Sequence, residues 1–521
     1  MSELKNKVVY LVGTFFLLCF SNCSLVTPKN KERKQPNIIY ILADDLGYGE
    51  LGCYGQEKIE TPNIDNLAKE GVIFTQHYSG APVCAPSRCV LLTGKHPGHA
   101  QIRGNDEWTE RGDVWNYFAQ VKDSTLEGQF PLKEDTKTIA SLLKSAGYTT
   151  VIVGKWGLGA PHTHATPLQM GFDFFVGYNC QRQAHTYYPV HLYKNDKRIL
   201  LGNDTISPVK KLNKGADPYK KESYADFNLN TYSADIMFEE LQKFITDNDP
   251  NVTGKPLFMY WATPLPHVPL QAPERWVKHY VDIFGDEKPY LGNQGYFPQR
   301  YPRAAYAAMV SYMDEQVGQL VKQLKEQGIY DNTLIVFTSD NGPTFNGGTQ
   351  SPWFKSGGPF RSEYGWGKCF VHEGGIRVPM IASWPGKIQA GSKTDHISAF
   401  WDVLPTFCEV ADASIPDDVD GISLLPTLMG EDTQKEHEYL YWEFPELEGE
   451  QAVRMGDWKA IRRNIKKGNL DIELYNLKTD IQELNDVAAE NPSVVEKVEL
   501  IMKKEHVPSD NEHFQLKELG D

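Results

Sequence analysis

The stretch Asn37-Ile-Ile-Tyr-Ile-Leu-Ala43, running straight into Asp44-Asp45, decides the architecture. An apolar run with no polar interruption after its first residue is the kind of strand that a sheet buries on both faces. Three further runs of the same kind lie at 149–153, 256–262 and 333–338. Between them, apolar residues recur at helical spacing. A short helix over 138–144 stops at Gly147, and one over 235–245 directs Ile236, Phe238, Leu241 and Ile245 toward a core. The longest helix, over 304–327, carries Tyr306, Val310, Met313, Val317, Leu320 and Leu324 before Gly328 ends it. Alternation of strand, turn and amphipathic helix predicts an α/β fold: a large mixed sheet flanked by helices.

Beyond residue 401 the texture changes. Tyr439-Leu-Tyr-Trp442, Ala452-Val-Arg454, Trp458-Lys-Ala-Ile461 and Glu473-Leu-Tyr475 read as a small antiparallel sheet, with a helix over 493–504 beside it. The expected organisation is a large domain over 36–400 and a smaller C-terminal α+β domain over 401–521. At the other end, Lys5 and Lys7 precede an apolar run from Val8 to Phe20, so residues 1–22 read as a signal peptide. Residues 23–35, with Lys29, Lys31, Arg33 and Lys34, form a polar tether. Phe20-Ser21-Asn22-Cys23 resembles a bacterial lipoprotein box whose third position is Asn. Two outcomes follow from it, a lipid anchor at Cys23 or simple cleavage. Either gives an exported bacterial protein, periplasmic or on the cell surface.

The 521 residues include 53 Lys+Arg and 68 Asp+Glu, a formal charge of −15. That balance argues against nucleic acid or an anionic membrane as the main partner and leaves room for a bound cation. With 40% apolar and 12% aromatic residues, disorder and a collagen-like chain are excluded. The eight cysteines are too sparse for a disulfide scaffold and lack paired zinc spacing.

The four apolar runs end in chemically loaded residues. Asp44-Asp45 follows the first, Gly154-Lys155 the second, His267 comes after the third, and Asp340-Asn341-Gly342 closes the fourth. In open α/β sheets ligands bind at the carboxyl ends of strands, so these residues converge on one crevice. Three carboxylates and a carboxamide are hard oxygen ligands that suit Ca²⁺ or Mg²⁺ better than zinc. Taken singly, a DD or DN pair caps a turn; two pairs, each directly after an apolar strand, favour the metal.

Residues 80–95 contain Cys84-Ala-Pro86-Ser87-Arg88, followed by Leu92-Thr93-Gly94. This pattern resembles the signature of the type I, formylglycine-dependent sulfatases of the alkaline phosphatase superfamily. Further matches run in order along residues 36–480: Ala43-Asp44-Asp45-Leu46-Gly47, Thr61-Pro62-Asn63-Ile64-Asp65, Gly154-Lys155-Trp156, Ser339-Asp340-Asn341-Gly342 and Glu373-Gly374-Gly375-Ile376-Arg377-Val378-Pro379. The resemblance implies an alkaline-phosphatase-like sheet and oxidation of Cys84 to formylglycine by a maturase before folding. A hydrated aldehyde can attack sulfur with one hydroxyl and expel sulfate with the other, which a thiol cannot. The resemblance further implies one Ca²⁺ held by Asp44, Asp45, Asp340, Asn341 and the modified residue 84. Arg88 would stabilise the nucleophilic oxygen, Lys155 and Lys368 the sulfate charge, and His267 would protonate the departing sugar oxygen. Where the family commonly has Gly-Lys-Trp-His-Leu-Gly, this chain has Gly157 in place of the histidine. His185 or His164 is expected to supply the missing contact.

The implied substrate is a sulfated carbohydrate, with 4- or 6-O-sulfated galactose or N-acetylgalactosamine leading. His185, Tyr187, Tyr188, Arg361 and Glu363 are the expected substrate-binding residues, placed in loops between the motifs. Three other readings compete. They are a phosphodiesterase or phosphonate hydrolase of the same superfamily, a non-catalytic binder of sulfated glycans, and a structural surface lipoprotein. The first typically carries two zinc ions, several histidines and a Ser or Thr nucleophile, against which Cys84 counts. Intact Cys84, Arg88, Lys155 and Lys368 count against the second, and only the N-terminal segment supports the third.

Overall fold

The computed structural model describes residues 35–521. The expected signal peptide and Cys23 lie outside the described residues. Among the described residues, no helix is long and apolar enough to cross a membrane.

The large sheet contains β1 (Asn37–Ala43), β2 (Val72–Tyr78), β3 (Thr149–Lys155), β4 (Phe174–Tyr178), β5 (His191–Lys194), β6 (Lys197–Leu200), β7 (Leu257–Ala262), β8 (Thr333–Ser339), β9 (Arg377–Ser383), β10 (Ser392–Thr394) and β11 (Ser398–Ala399). Their order is β10-β2-β9-β8-β1-β7-β3-β4-β5-β6, with β11 on β2. The centre, β8-β1-β7-β3-β4, is parallel, whereas β9 runs antiparallel to both β8 and β2. The sheet is therefore mixed, as expected. β1 shows why an unbroken apolar run suits its middle. Ile38, Tyr40 and Leu42 enter one core cluster while Ile39, Ile41 and Ala43 enter the cluster on the opposite face.

Helices cover both faces. Pro302–Glu326 buries Tyr306, Val310, Met313, Val317, Leu320 and Leu324, as its spacing predicts. Ser233–Asp247 buries Phe238, Leu241 and Ile245, but it presents Met237 rather than the expected Ile236, which is only half-buried. The helix Val403–Val410 packs on the large sheet: the Phe407 ring stands 5.8 Å from Tyr40 and 6.2 Å from Phe258. The four-stranded antiparallel sheet follows, with β12 (Leu440–Phe444), β13 (Glu450–Met455), β14 (Trp458–Arg463) and β15 (Ile472–Asn476) in sequence order. The helix Pro492–Glu505 lies against it through Val498 and Met502.

The parallel register places the ends of β1, β3, β7 and β8 on one edge. Leu42 pairs with Ala262 and with Thr338, and Gly154 pairs with Ala262. The loaded residues beyond these ends therefore meet, although nearly the whole sheet separates them in sequence.

Candidate active site

Asp44 and Asp45 follow β1 directly, and a left-handed backbone at Asp45, φ 66°, turns the two carboxylates into the same crevice. The Asp45 amide donates to Asp340 Oδ1 at 3.1 Å, and Asn341 Nδ2 donates to Asp45 Oδ1 at 2.8 Å. Cys84 opens the helix Cys84–Thr93, so its side chain stands where the helix dipole favours negative charge. Its Sγ lies 3.3 Å from Asp44 Oδ1 and 3.6 Å from Lys368 Nζ. One turn on, Arg88 reaches Asp340 Oδ2 through Nη2 at 2.8 Å and Nε at 3.1 Å, and its Nη1 donates to the Lys155 carbonyl at 2.9 Å. Lys155 Nζ sits 2.7 Å from Asp44, and Lys368 Nζ 2.7 Å from Asp45.

Every one of these residues except Lys368, which keeps slight exposure, is essentially buried. Burial opposes the charge of Asp44, but Lys155, His267, Arg88 and Lys368 outweigh it and hold this carboxyl well below the usual range. Burial pushes Asp45 up, and pushes Asp340 up to about 6 with Asp44 adding to the effect. Three adjacent carboxyls, two of them strained toward neutrality, form a seat that positive charge would stabilise. Asn341 Oδ1 strengthens this fit, being a buried acceptor with no partner. Asp44, Asp45, Cys84 and His267 each place a ligand atom within 4.8 Å of the others. Two of these four are carboxylates, and Asp340 and Asn341 beside them add the further hard oxygens that an alkaline-earth ion requires. Burial also raises the Cys84 thiol well above its ordinary value, so it stands protonated and a poor nucleophile as it is.

His267 lies in the turn after β7, which the Asp44 amide ties to β1 through the Leu265 carbonyl at 3.0 Å. Its Nδ1 donates to the Val268 carbonyl at 2.5 Å, leaving Nε2 free toward the crevice, 3.7 Å from Asp45. His185 stacks on it, with ring centroids 5.6 Å apart and 16° between planes. Burial lowers the pKa of both imidazoles well below the ordinary value.

Not every expected substrate contact faces this centre. Tyr187 is buried, with its hydroxyl 2.5 Å from the Pro264 carbonyl and 2.8 Å from that of His267. Its hydroxyl thus braces the His267 turn. Tyr188 packs toward Tyr232, with ring centroids 5.4 Å apart. Arg361 donates to Glu363 at 2.7 Å and stacks over Trp366 at 3.8 Å, so this pair engages its own loop.

The space beside Gly157 is filled by neither histidine considered for it. His164 bonds the Leu132 carbonyl at 2.8 Å, and His185 stacks on His267. A Cβ at position 157 would lie 2.0 Å from Gln181 Nε2, so the Gln181 carboxamide occupies that volume. Both of its polar atoms are buried without a partner. The turn carrying Gln181 and His185 is held from below. The Gln181 amide donates to Gln129 Oε1 at 3.0 Å, and Gln183 Nε2 donates to the buried Glu127 at 2.8 Å.

Sequence reasoning also missed Tyr296. Its ring meets His185 at 5.2 Å and His267 at 5.8 Å, edge to face. The one visible signal is an aromatic residue after a glycine-rich Gly292-Asn-Gln-Gly295 turn.

A second grouping, His96, His99 and Asp420, closes on itself. His96 Nδ1 accepts the Gly98 amide at 3.1 Å, so its proton sits on Nε2 and points to Glu505 at 3.0 Å. The lone pair a metal would need is thus taken up, and the group ties the helix Pro492–Glu505 to the segment after Cys84–Thr93.

The comparisons with known proteins agree with this geometry. Residues 36–413 match the Sulfatase family model, and residues 362–508 match the model for the C-terminal part of N-sulphoglucosamine sulphohydrolase. The chain is 34% identical over 398 residues to the human N-acetylgalactosamine-6-sulfatase, covering 76% of this chain and 66% of that one. It is 32% identical to the human steryl-sulfatase, covering 82% of this chain and 73% of that one. The crystal structure of Ps i-CgsB superposes with a TM-score of 0.69 at 28% identity, covering 92% of this chain and 94% of that one. The shared sheet, the strand-end centre and these matches place the chain in the sulfatase family of sulfuric ester hydrolases, within the alkaline phosphatase superfamily.

Proposed function

We propose that the chain removes sulfate from sulfated carbohydrates, using formylglycine at position 84 and one calcium ion held by Asp44, Asp45, Asp340 and Asn341. The single observation that carries this reading is the ring of Cys84, Arg88, Lys155 and Lys368 around those oxygens. Formylglycine would supply covalent catalysis through its hydrated aldehyde, and calcium would act as Lewis acid toward the sulfate.

The remaining work falls to this chain's own side chains. Arg88, fixed by Asp340, presents an unchanging cation beside residue 84. Lys155 and Lys368 border the same point and neutralise the ester's charge as it grows in the transition state. Nδ1 of His267 is committed to Val268, so Nε2 is the atom that passes a proton to the departing sugar oxygen. The incoming sulfate brings the negative charge that favours the protonated ring. Since Cys84 has no exposed surface, the formylglycine-generating maturase would act before the chain folds.

The substrate class draws on two relatives. One is named for N-acetylgalactosamine 6-sulfate, and Ps i-CgsB has been solved with k-i-k-neocarrahexaose. The leading substrates are 4- or 6-O-sulfated galactose and N-acetylgalactosamine. The N-terminal segment adds export to the periplasm or cell surface, with a lipid anchor at Cys23 as one outcome.

The test is a panel of regiospecifically sulfated sugars, offered to protein made beside an active maturase. Desulfation of one galacto-configured sugar, with a peptide mass showing formylglycine at 84, is the expected result. Full activity of Cys84→Ser, or faster cleavage of nitrophenyl phosphate than of nitrophenyl sulfate, would overturn the reading.

A further inference from the structure

We propose that Tyr296 is a substrate-positioning residue that reads the sugar carrying the sulfate, an inference that rests on the function proposed above. Tyr296 lies in the loop between the helices Glu274–Phe284 and Pro302–Glu326. Its backbone is left-handed, at φ 59°, a conformation that a bulky L residue adopts only when its surroundings impose it.

The surroundings do so. Tyr290 and Gln299 exchange backbone hydrogen bonds of 2.8 and 2.9 Å and close the loop at its base. The Tyr290 hydroxyl donates to the Gly295 carbonyl, and the Gln294 carbonyl accepts the Gly347 amide at 3.1 Å. These ties pin both flanks of Tyr296 and hold it in the unfavourable conformation.

What that conformation achieves is placement. The phenol stands edge-on to two parallel imidazoles, His185 and His267, and the three rings make an aromatic wall beside Asp45. The wall's middle ring, His267, stands 3.7 Å from Asp45 through Nε2, which sets Tyr296 one ring away from the carboxylates. A tyrosine serving only to pack would need no left-handed backbone, and phenylalanine would do as well. Tyr296 keeps partial exposure while packing against the core, and its hydroxyl makes no hydrogen bond among the described residues. A partly exposed tyrosine with an unpaired hydroxyl beside two imidazoles fits a pyranose, whose C–H edge would meet the ring while a hydroxyl beside the ester meets the phenol oxygen.

The experiment compares matured parent, Tyr296→Phe, Tyr296→Ala and Tyr296→Gly on the preferred sulfated sugar and on nitrophenyl sulfate. Tyr296→Phe keeps the ring and is expected to raise KM for the sugar about tenfold, the worth of one hydrogen bond. Its kcat/KM for the sugar should fall at least about tenfold further than that for nitrophenyl sulfate. Tyr296→Gly accepts the left-handed backbone without strain, so it should lose less melting temperature than Tyr296→Ala and still lose the preference for the sugar. Unchanged preference in both the Phe and Gly variants, or equal losses on both substrates, overturns the assignment. A parent that cleaves no sulfate ester at all overturns instead the activity on which it rests.

Discussion

Arg88 meets Asp340 through two nitrogens on one carboxylate oxygen, 2.8 and 3.1 Å away, with neither side chain exposed. Such a buried pair is hard to break from one side. Arg88→Ala should lower stability by about 3–5 kcal/mol, because Asp340 is left as an uncompensated buried charge. Turnover of nitrophenyl sulfate should fall by about 10²–10³-fold. Arg88→Lys keeps the charge and loses the fork, so it should fold better than Arg88→Ala yet remain far below the parent in kcat. Denaturant unfolding and steady-state kinetics on the three proteins check this, and a fully active Arg88→Lys would count against a geometric role.

The cation seat is open to a binding measurement independent of activity. After chelation, adding calcium at about a hundredfold its dissociation constant should stabilise the protein by about 2.7 kcal/mol, seen as a higher melting temperature. Asp45→Asn combined with Asn341→Ala should abolish that gain. A parent whose melting is indifferent to calcium and magnesium refutes the seat.

Lys459 joins the small sheet to the large one through a buried contact of 2.9 Å with Glu373, which also pairs with Arg377. Lys459→Met should destabilise by about 3–5 kcal/mol. The double variant Lys459→Met/Glu373→Gln removes both charges and should recover a large part of that loss. Additive losses in the two single variants would show that the pair does not couple the sheets.

Glu107 gives a pH dependence with a definite sign. Burial pushes its carboxyl up to about 8 from an ordinary value of 4.5, and its Oε2 has no partner. Between those values the folded protein holds a proton that the unfolded chain has released. The group's contribution is therefore complete below the unfolded pKa and declines as pH rises toward the folded one. Glu107→Gln cannot titrate. It should melt about 2 °C or more above the parent near pH 8 and show no such advantage near pH 5. Parallel melting profiles across that window would contradict the assignment.

Gly157→Ala sets a methyl group 2.0 Å from Gln181 Nε2 on a backbone with φ 75°. A loss of about 1–3 kcal/mol and reduced turnover are expected. Gln181→Ala in the same chain removes the collision, and the double variant should regain most of the melting temperature. A Gly157→Ala variant as stable as the parent would mean that the carboxamide moves aside freely.

The four strands that build the site were legible because a strand buried on both faces has no polar alternation to obscure it, as in Asn37–Ala43 and Thr333–Ser339. Their loaded ends, Asp44-Asp45 and Asp340-Asn341, were equally visible, since the parallel register carries them to one edge. β2, with Thr75 and Gln76 half-buried, and the short polar hairpin of β5 and β6 gave no comparable signal. The aromatic wall was harder to see. Tyr187 and Tyr296 are both tyrosines in loops near the site. Only the fold shows that the first hydroxyl is committed to loop carbonyls while the second is free. Gln181 filling the space beside Gly157 is likewise a relation between two loops that no local pattern encodes.

The ladder of β8, β1, β7 and β3 has one further consequence. Asp44, Asp45, Asp340 and Asn341 follow hydrogen-bonded strands directly and His267 sits in the turn after β7, whereas His185 and Tyr296 stand on two loops braced elsewhere, on Glu127 and Gln129 and on the Tyr290–Gln299 clasp. Two of the three rings can therefore be altered without disturbing the strand ends that carry the carboxylates. On the function proposed above, a change of substrate preference becomes a problem of rebuilding those two short loops.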